Sequence, residues 1–209
     1  NRPTAEPALP RIIHGFAFQP YQKDQDAIAG EDPTPAQIDA DLKLLAGTTR
    51  AVRTYSSIGT LGEIPALARK HGLKVMLGSW IDSDRERNDR EVEATIRLAN
   101  TNRNVTRILV GNEVVLRGDL PVEDLIAHLD RVRAATKQPV STAEPWHVWI
   151  KHPELVAHVD FITVHMLPYW EGVEVEAAVG YVVAKLGEVR SAFPDKPIVI
   201  GEVGWPSEG

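Results

Sequence analysis

Two apolar segments, each followed by glycine and glutamate, constrain the fold of this 209-residue chain more than any other feature. Ile-Leu-Val-Gly-Asn-Glu occupies positions 108–113, and Ile-Val-Ile-Gly-Glu-Val-Gly-Trp-Pro occupies 198–206. Strands this apolar are typical of a parallel sheet that is covered on both faces. In a closed βα barrel, the residues at the carboxyl ends of the strands line the active site. We therefore expect Glu113 and Glu202 to face one cleft.

Strand and helix patterns alternate along the whole chain. Seven strands are predicted, at 12–18, 50–55, 73–79, 105–111, 140–143, 159–165 and 197–201. Six helices are predicted between them, at 35–46, 60–71, 85–102, 121–136, 148–157 and 173–192. This alternation predicts an α/β fold with a parallel sheet, namely a (β/α)₈ TIM barrel.

One barrel domain is expected over residues 12–209. Its eighth βα unit should be absent, because only seven residues follow Glu202. Residues 1–11 are rich in proline and alanine and are predicted to form a linker, so the sequence is expected to be a piece of a longer chain.

Composition excludes several functional classes. The net charge of −6 argues against a nucleic-acid partner, and no apolar run is long enough to cross a bilayer. Without cysteine there is no disulfide, thiolate metal site or cysteine nucleophile. The histidines show no metal-ligand spacing, and His14 and His165 are expected to hydrogen-bond inside the barrel mouth. No phosphate-binding loop is present, and we predict neither a metal nor a cofactor.

The predicted carboxylate pair suits cleavage of a glycosidic bond, in which one carboxyl donates a proton and the other attacks or activates water. Asn112, directly before Glu113, could hydrogen-bond a sugar 2-hydroxyl. Glu144 ends the fifth predicted strand, and two interpretations stay open for it. It could bind a sugar hydroxyl, or it could form a salt bridge within the barrel mouth.

Four of the five tryptophans follow predicted strands, namely Trp80, Trp146, Trp170 and Trp205. Aromatic rings offer large rigid surfaces on which the C–H faces of sugars can stack. Core packing is the alternative for each of them. Tyr55 and Tyr169 also lie at strand ends and could supply hydroxyl groups to the substrate or to a catalytic carboxylate.

The motifs resemble a known family. Val-Gly-Asn-Glu at 110–113 and Gly-Glu-Val-Gly-Trp-Pro-Ser at 201–207 are similar to the two signatures of family 17 glycoside hydrolases, the β-1,3-glucanase family. The segments at 14–16, 53–55 and 168–170 resemble the corresponding family segments, and the resemblance covers nearly all of residues 12–206.

This resemblance implies a (β/α)₈ barrel and a retaining mechanism. It implies that Glu113 is the general acid/base and Glu202 the nucleophile, with Asn112, Tyr55 and Tyr169 around the reacting sugar. The chain departs from plant members in its shorter length and its limited room for a subdomain after the sixth strand. It resembles bacterial members more closely, several of which are similar to transglycosylases.

We therefore expect an enzyme that acts on β-1,3-gluco-oligosaccharides or glucan through a covalent intermediate, with transglycosylation favoured over hydrolysis. An endo-β-1,3-glucanase is the alternative, and a non-catalytic glucan-binding module is a second one. We expect a monomer in the periplasm or outside the cell, with no membrane contact from this segment, although its parent could be membrane-anchored.

Overall fold

A computed structural model describes residues 12–27 and 29–206, so the predicted linker at 1–11 lies outside the described residues. Its sheet has seven strands, all parallel and paired in sequence order. They are β1 (Phe16–Ala17), β2 (Ala51–Arg53), β3 (Lys74–Ser79), β4 (Val105–Asn112), β5 (Val140–Pro145), β6 (Ile162–Met166) and β7 (Ile198–Val203). Sequential order in a parallel sheet is the arrangement of a βα barrel, and the predicted fold class is confirmed.

Helices follow the strands on the outside of the sheet. The α-helices are α1 (Pro35–Leu45), α2 (Ile64–Lys70), α3 (Arg85–Thr101), α4 (Val114–Arg117), α5 (Val122–Ala135), α6 (Trp146–Lys151) and α7 (Val175–Ala192). Shorter 3₁₀ helices span Gly59–Glu63, Pro153–His158 and Pro168–Glu171. Thr34 caps α1 in a reciprocal capping box with Gln37, and Pro35 occupies its first turn as predicted.

Three predicted elements differ most from the observed ones. The predicted helix at 60–71 is divided into the 3₁₀ helix Gly59–Glu63 and α2. The first strand is reduced to Phe16–Ala17 and a single bridge between Ile13 and Thr49. The predicted helix at 148–157 begins earlier, at Trp146, and breaks into α6 and a 3₁₀ helix that starts at Pro153. Proline lacks the backbone N–H that a continuing helix needs, which explains the break.

The sheet is open between its first and last strands. Among the described residues no eighth strand is present, and β7 does not pair with β1. A cavity of about 220 Å³ lies inside the curved sheet and is lined by residues of β1, β2, β3, β4 and β7, including Val52, Thr106 and Val199. Ile200 on β7 is 39% exposed, in contrast to the apolar residues of β4, which are completely buried. The hydrophobic core therefore lies around β2 to β6 and the helices that pack on them.

Two β-bulges reshape the carboxyl ends of β4 and β7. Leu109 pairs with Ser141, but Asn112 pairs with Ala143, so β4 carries one extra residue. Val164 pairs with Ile200 and His165 with Glu202, which leaves Gly201 as the extra residue of β7. A bulge redirects the side chains that follow it, and here each bulge precedes one of the two predicted glutamates.

The close contact between β2 and β3 leads to a test of the fold. A Cβ atom on Gly78 would lie 2.1 Å from the Thr54 carbonyl oxygen and 2.7 Å from the Tyr55 Cα. We expect Gly78→Ala to lower the free energy of unfolding by about 1–3 kcal/mol or more, because backbone atoms must move apart. Gly187→Ala on α7 is the control, because a Cβ at this position would meet nothing within 4 Å. This variant should raise the free energy of unfolding by about 0.5–1 kcal/mol. Urea unfolding measures the stability of both variants. Equal stabilities would contradict the close contact of Gly78 with Thr54 and Tyr55.

Candidate active site

One histidine lies between the two predicted catalytic glutamates. His165 on β6 is 1% exposed, its Nδ1 lies 2.6 Å from Glu113 Oε1, and its Nε2 lies 3.6 Å from Glu202 Oε1. The glutamate side chains are 22% and 24% exposed, so each retains an open edge. Because a single imidazole ring spans the gap, the structure brings the two carboxylates together at one end of the barrel.

Arg53 joins Glu202 to the neighbouring asparagine. Its guanidinium, 6% exposed on β2, donates one hydrogen bond to Glu202 Oε1 and one to Asn112 Oδ1. The Tyr55 hydroxyl also donates to Glu202 Oε1, at 2.7 Å, and the Arg53 guanidinium carbon lies 4.1 Å from the Tyr55 ring centre. Because the Asn112 oxygen accepts from Arg53, the orientation of the amide is fixed, and its NH₂ group is left to donate to a ligand.

These donors control the ionisation of Glu202. Burial alone would raise its pKa, but the charge of His165, the Tyr55 hydroxyl and the Arg53 guanidinium outweigh burial and hold the pKa below the ordinary value of 4.5. Burial raises the pKa of Tyr55, and its hydrogen bond to Glu202 raises it further. At neutral pH, Glu202 is therefore a carboxylate and Tyr55 is a neutral donor.

The backbone at Glu113 is strained. Its φ of 56° and ψ of 32° lie in the left-handed region, and it is the only residue other than glycine with positive φ among residues 12–27 and 29–206. Such a conformation costs about 1–3 kcal/mol and occurs often at active sites. Gly111 in the preceding bulge has φ +87°, and a Cβ there would lie 2.6 Å from Val114 Cγ2. The chain thus turns sharply between β4 and α4, and the Glu113 carboxyl meets His165.

Glu144 is hydrogen-bonded to the backbone of the turn that follows β4. It is completely buried on β5, and its two oxygens accept the backbone N–H groups of Val115 at 2.8 Å and Leu116 at 3.3 Å. Burial raises its pKa to about 7, although the two amides act in the opposite direction. Its hydrogen-bond partners are backbone amides of α4 and not a cation. Among the described residues Glu144 forms no salt bridge, and its predicted contact with a sugar hydroxyl stays a prediction.

Tyr169, Trp170 and Trp205 form an aromatic group at the ends of β6 and β7. The rings of Trp170 and Trp205 meet Tyr169 edge to face, at centroid distances of 5.3 and 5.6 Å. Trp170 is 79% exposed and Tyr169 is 41% exposed. Large aromatic surfaces this exposed are unusual unless they contact a ligand or partner.

Trp80 and Trp146 are engaged within the protein. The Trp80 indole N–H donates to Asp82, and the Arg117 guanidinium carbon lies 4.7 Å from the ring centre. The Trp146 indole donates to Glu171, with the Lys185 ammonium 3.9 Å from its ring centre. A cation thus covers one face of each ring, which leaves at most the other face for a sugar.

Arg53 and the bridging role of His165 were not identified as site features from the sequence. The one local signal for Arg53 is a charged residue inside the predicted strand at 50–55, because buried charges are rare unless they are paired. His14 is exposed and lines the cavity beside β1, so its expected place inside the mouth is not observed.

The described residues contain no group of three or more His, Asp or Glu side chains placed to hold a metal ion, and none of their helices is long and apolar enough to cross a bilayer. The predictions about cofactors, oligomeric state and location stay predictions.

A sequence model of the BtgE/BtgC glycoside hydrolase domain matches residues 15–209. A glucan 1,3-beta-glucosidase from Schizosaccharomyces pombe is 31% identical over 190 residues, which cover 81% of this chain and 59% of that protein. A probable glucan endo-1,3-beta-glucosidase from Aspergillus flavus is 26% identical over 222 residues, covering 97% of this chain but 32% of the relative. The chain thus spans less than two thirds of the length of either relative.

A crystal structure of a family 17 β-1,3-glucanosyltransferase from Rhizomucor miehei superposes with a TM-score of 0.79 at 28% identity, over 93% of this chain and 72% of that one. An active-site mutant of the Rhizomucor enzyme is also known in complex with laminaritriose. The resemblance to family 17 is confirmed. All three relatives are fungal, so the closer similarity to bacterial members stays a prediction.

Removal of the Tyr55 hydroxyl tests the electrostatics of Glu202. Tyr55→Phe should lower the free energy of unfolding by about 1–2 kcal/mol at pH 7, because a hydrogen bond to a charged group is lost. The folded-state pKa of Glu202 lies below 4.5, so this stabilisation is present above pH 4.5 and is lost as the pH falls below it. Urea unfolding at several pH values should show the difference from wild type shrinking on acidification.

Tyr21→Phe is the matched control for this measurement. The Tyr21 hydroxyl donates to Asp32 at 3.2 Å in an exposed position. Its removal should change stability by less than about 0.5 kcal/mol. A Tyr55→Phe effect that is just as small, or that does not vary with pH, would contradict the proposed control of Glu202.

Proposed function

This chain belongs to the BtgE/BtgC glycoside hydrolase domain family, and on that premise we propose that it is a retaining enzyme acting on β-1,3-glucan through a covalent glucosyl intermediate. The observation that carries the proposal is the pairing of Glu113 and Glu202 on the two sides of His165. The names of the relatives, which are glucosidases and a glucanosyltransferase of β-1,3-glucan, support the choice of substrate.

Glu202 is the proposed nucleophile. A nucleophilic carboxylate must be ionised when the sugar binds, and Arg53, Tyr55 and His165 together lower its pKa. Arg53 and Tyr55 both contact Oε1, so the second oxygen, Oε2, is available to attack the anomeric carbon. The glycosyl–oxygen bond that forms replaces the bond to the leaving group.

Glu113 is the proposed general acid and base. In the first step its carboxyl gives a proton to the leaving oxygen, and in the second its carboxylate takes a proton from the attacking hydroxyl. His165 hydrogen-bonds one oxygen of Glu113, which orients the carboxyl and leaves the other oxygen for the sugar. The Asn112 NH₂ group, directed by Arg53, is suited to donate to the 2-hydroxyl of the reacting sugar.

Transfer and hydrolysis differ only in what attacks the intermediate. We favour transfer, because the exposed aromatic group of Tyr169, Trp170 and Trp205 offers a surface on which an acceptor sugar can stack. The named activity of the Rhizomucor enzyme supports this choice. Hydrolysis is the second candidate, favoured by the name of the Aspergillus relative.

Alanine variants of the two glutamates test their roles. Glu202→Ala should abolish turnover of laminari-oligosaccharides, and azide with an activated aryl laminarioside should give an α-glycosyl azide by single inversion. Glu113→Ala should lose about 10²–10⁴-fold on oligosaccharides. On the aryl substrate, azide should restore its turnover and give the β-azide, because two inversions retain the configuration. Chromatography and NMR identify the products.

Glu123→Ala is the control, since Glu123 is an exposed carboxylate in the first turn of α5. It should keep wild-type turnover. Normal activity of Glu202→Ala would remove Glu202 as nucleophile. Oligosaccharide binding by the wild type without any turnover would point instead to a binding module.

Product length separates transfer from hydrolysis. Incubation of the chain with laminaritetraose should give products longer than the substrate, and Trp170→Ala should shift the products towards shorter ones, because the acceptor loses its stacking surface. The experiment is followed by mass spectrometry at several substrate concentrations. If wild type releases only shorter sugars at all concentrations, the chain is a hydrolase.

A further inference from the structure

A completely buried carboxylate with no paired cation requires an explanation. Removing a carboxyl group from water costs free energy unless hydrogen bonds replace its hydration, and the cost is largest for the ionised form. Glu144 is such a group, and both of its oxygens are used by α4 alone. A well-packed apolar residue would have avoided the cost of burial. The acceptor pair must therefore contribute something that an apolar residue cannot.

The two amides that Glu144 accepts belong to the second and third residues after Glu113, Val115 and Leu116. The N–H of Glu113 itself donates to the carbonyl oxygen of Ala143 at 2.7 Å. Two adjacent residues of β5, Ala143 and Glu144, therefore hold the turn from Glu113 to Leu116 at three points. Without such restraints, a residue with a Cβ would leave the left-handed region, since that conformation is unfavourable.

The other side of the turn is held by Arg117. Its guanidinium donates to the carbonyl oxygen of Asn112 and, at 2.9 Å, to that of Ile81. Arg117 at the end of α4 and Glu113 directly before α4 are also charged groups that act on Glu144, and they have opposite effects on its pKa. The Glu113 side chain thus projects from a backbone that is fixed before, at and after the residue.

From this geometry we propose that Glu144 is a positioning residue, which holds Glu113 in the left-handed conformation that aims its carboxyl at the leaving oxygen. The inference deepens the proposed function and rests on it. Glu144 touches no substrate and acts only through the backbone of Glu113, Val115 and Leu116. A carboxylate suits this task because it presents two acceptors to two converging N–H groups, whereas an amide would place its own NH₂ against one of them.

The kinetic test uses the dependence on the leaving group. Glu144→Gln should lower kcat/KM for laminari-oligosaccharides by about 10²-fold, as a misplaced catalytic group does. It should change kcat/KM for an activated aryl laminarioside by less than about 3-fold, since that leaving group needs little help from a general acid. Glu144→Asp, which keeps a carboxyl group with two acceptor oxygens, should recover part of the loss.

Glu91→Gln is the matched control. Glu91 on α3 is also completely buried and accepts the Ser57 N–H at 2.8 Å, but it supports the loop after β2 and not Glu113. Any decrease in kcat/KM caused by Glu91→Gln should be equal for the oligosaccharide and the aryl substrate. The inference is overturned if Glu144→Gln also slows both substrates equally, or slows neither.

Amide hydrogen exchange gives a second readout that does not require activity. In Glu144→Gln the amides of Glu113, Val115 and Leu116 should exchange at least about 10-fold faster than in wild type, while Glu91→Gln should leave them unchanged. Unchanged protection of these three amides in Glu144→Gln would overturn the inference. The wild type could turn over neither substrate while these amides still exchange faster in Glu144→Gln. The proposed function would then fail, but the conclusion that Glu144 restrains the backbone at Glu113 would stand.

Discussion

The contact between Arg53 and Glu202 joins two parts of the sheet that the backbone leaves unpaired. Within residues 12–27 and 29–206, strand β7 has no hydrogen-bonded neighbour on the side of β1, yet Arg53 of β2 reaches across this opening to Glu202. The charges are mostly withdrawn from water, so each depends on the other for compensation. Tyr55 and His165 add donors to the same carboxylate. Because of this cluster, the open side of the barrel keeps a defined mouth where the chemistry is proposed to occur.

Two buried carboxylates, Glu91 and Glu144, support the turns that follow β2 and β4. Glu91 accepts the Ser57 N–H and the Ser56 hydroxyl, and burial raises its pKa as it does that of Glu144. In both cases a side chain from a neighbouring element replaces the hydrogen bonds that a turn cannot make within itself. The turns next to Tyr55 and Glu113 can therefore leave regular geometry and still be rigid.

The two glycines that precede the glutamates act through the bulges. Gly111 adopts a positive φ, and Gly201 lies where a Cβ would come within 2.7 Å of Thr163 and 3.0 Å of His165. A side chain at Gly201 would displace the imidazole that lies between the carboxylates. The Gly-Asn-Glu and Gly-Glu motifs are thus requirements of the backbone as much as of the chemistry.

Much of the architecture could be predicted from the sequence, because the periods of apolar residues and the positions of proline and glycine are local properties. They determined seven strands, the parallel fold and the placing of Glu113 and Glu202 at strand ends. Partners distant in sequence could not be read this way. Arg53 meets Glu202 and Asn112 across 149 and 59 residues, and Glu144 meets Val115 across 29. The tertiary structure alone decided that Arg53 belongs to the site, that Glu144 faces inwards, and that Trp80 and Trp146 are held by cations, because burial and hydrogen bonding depend on which strands and helices become neighbours.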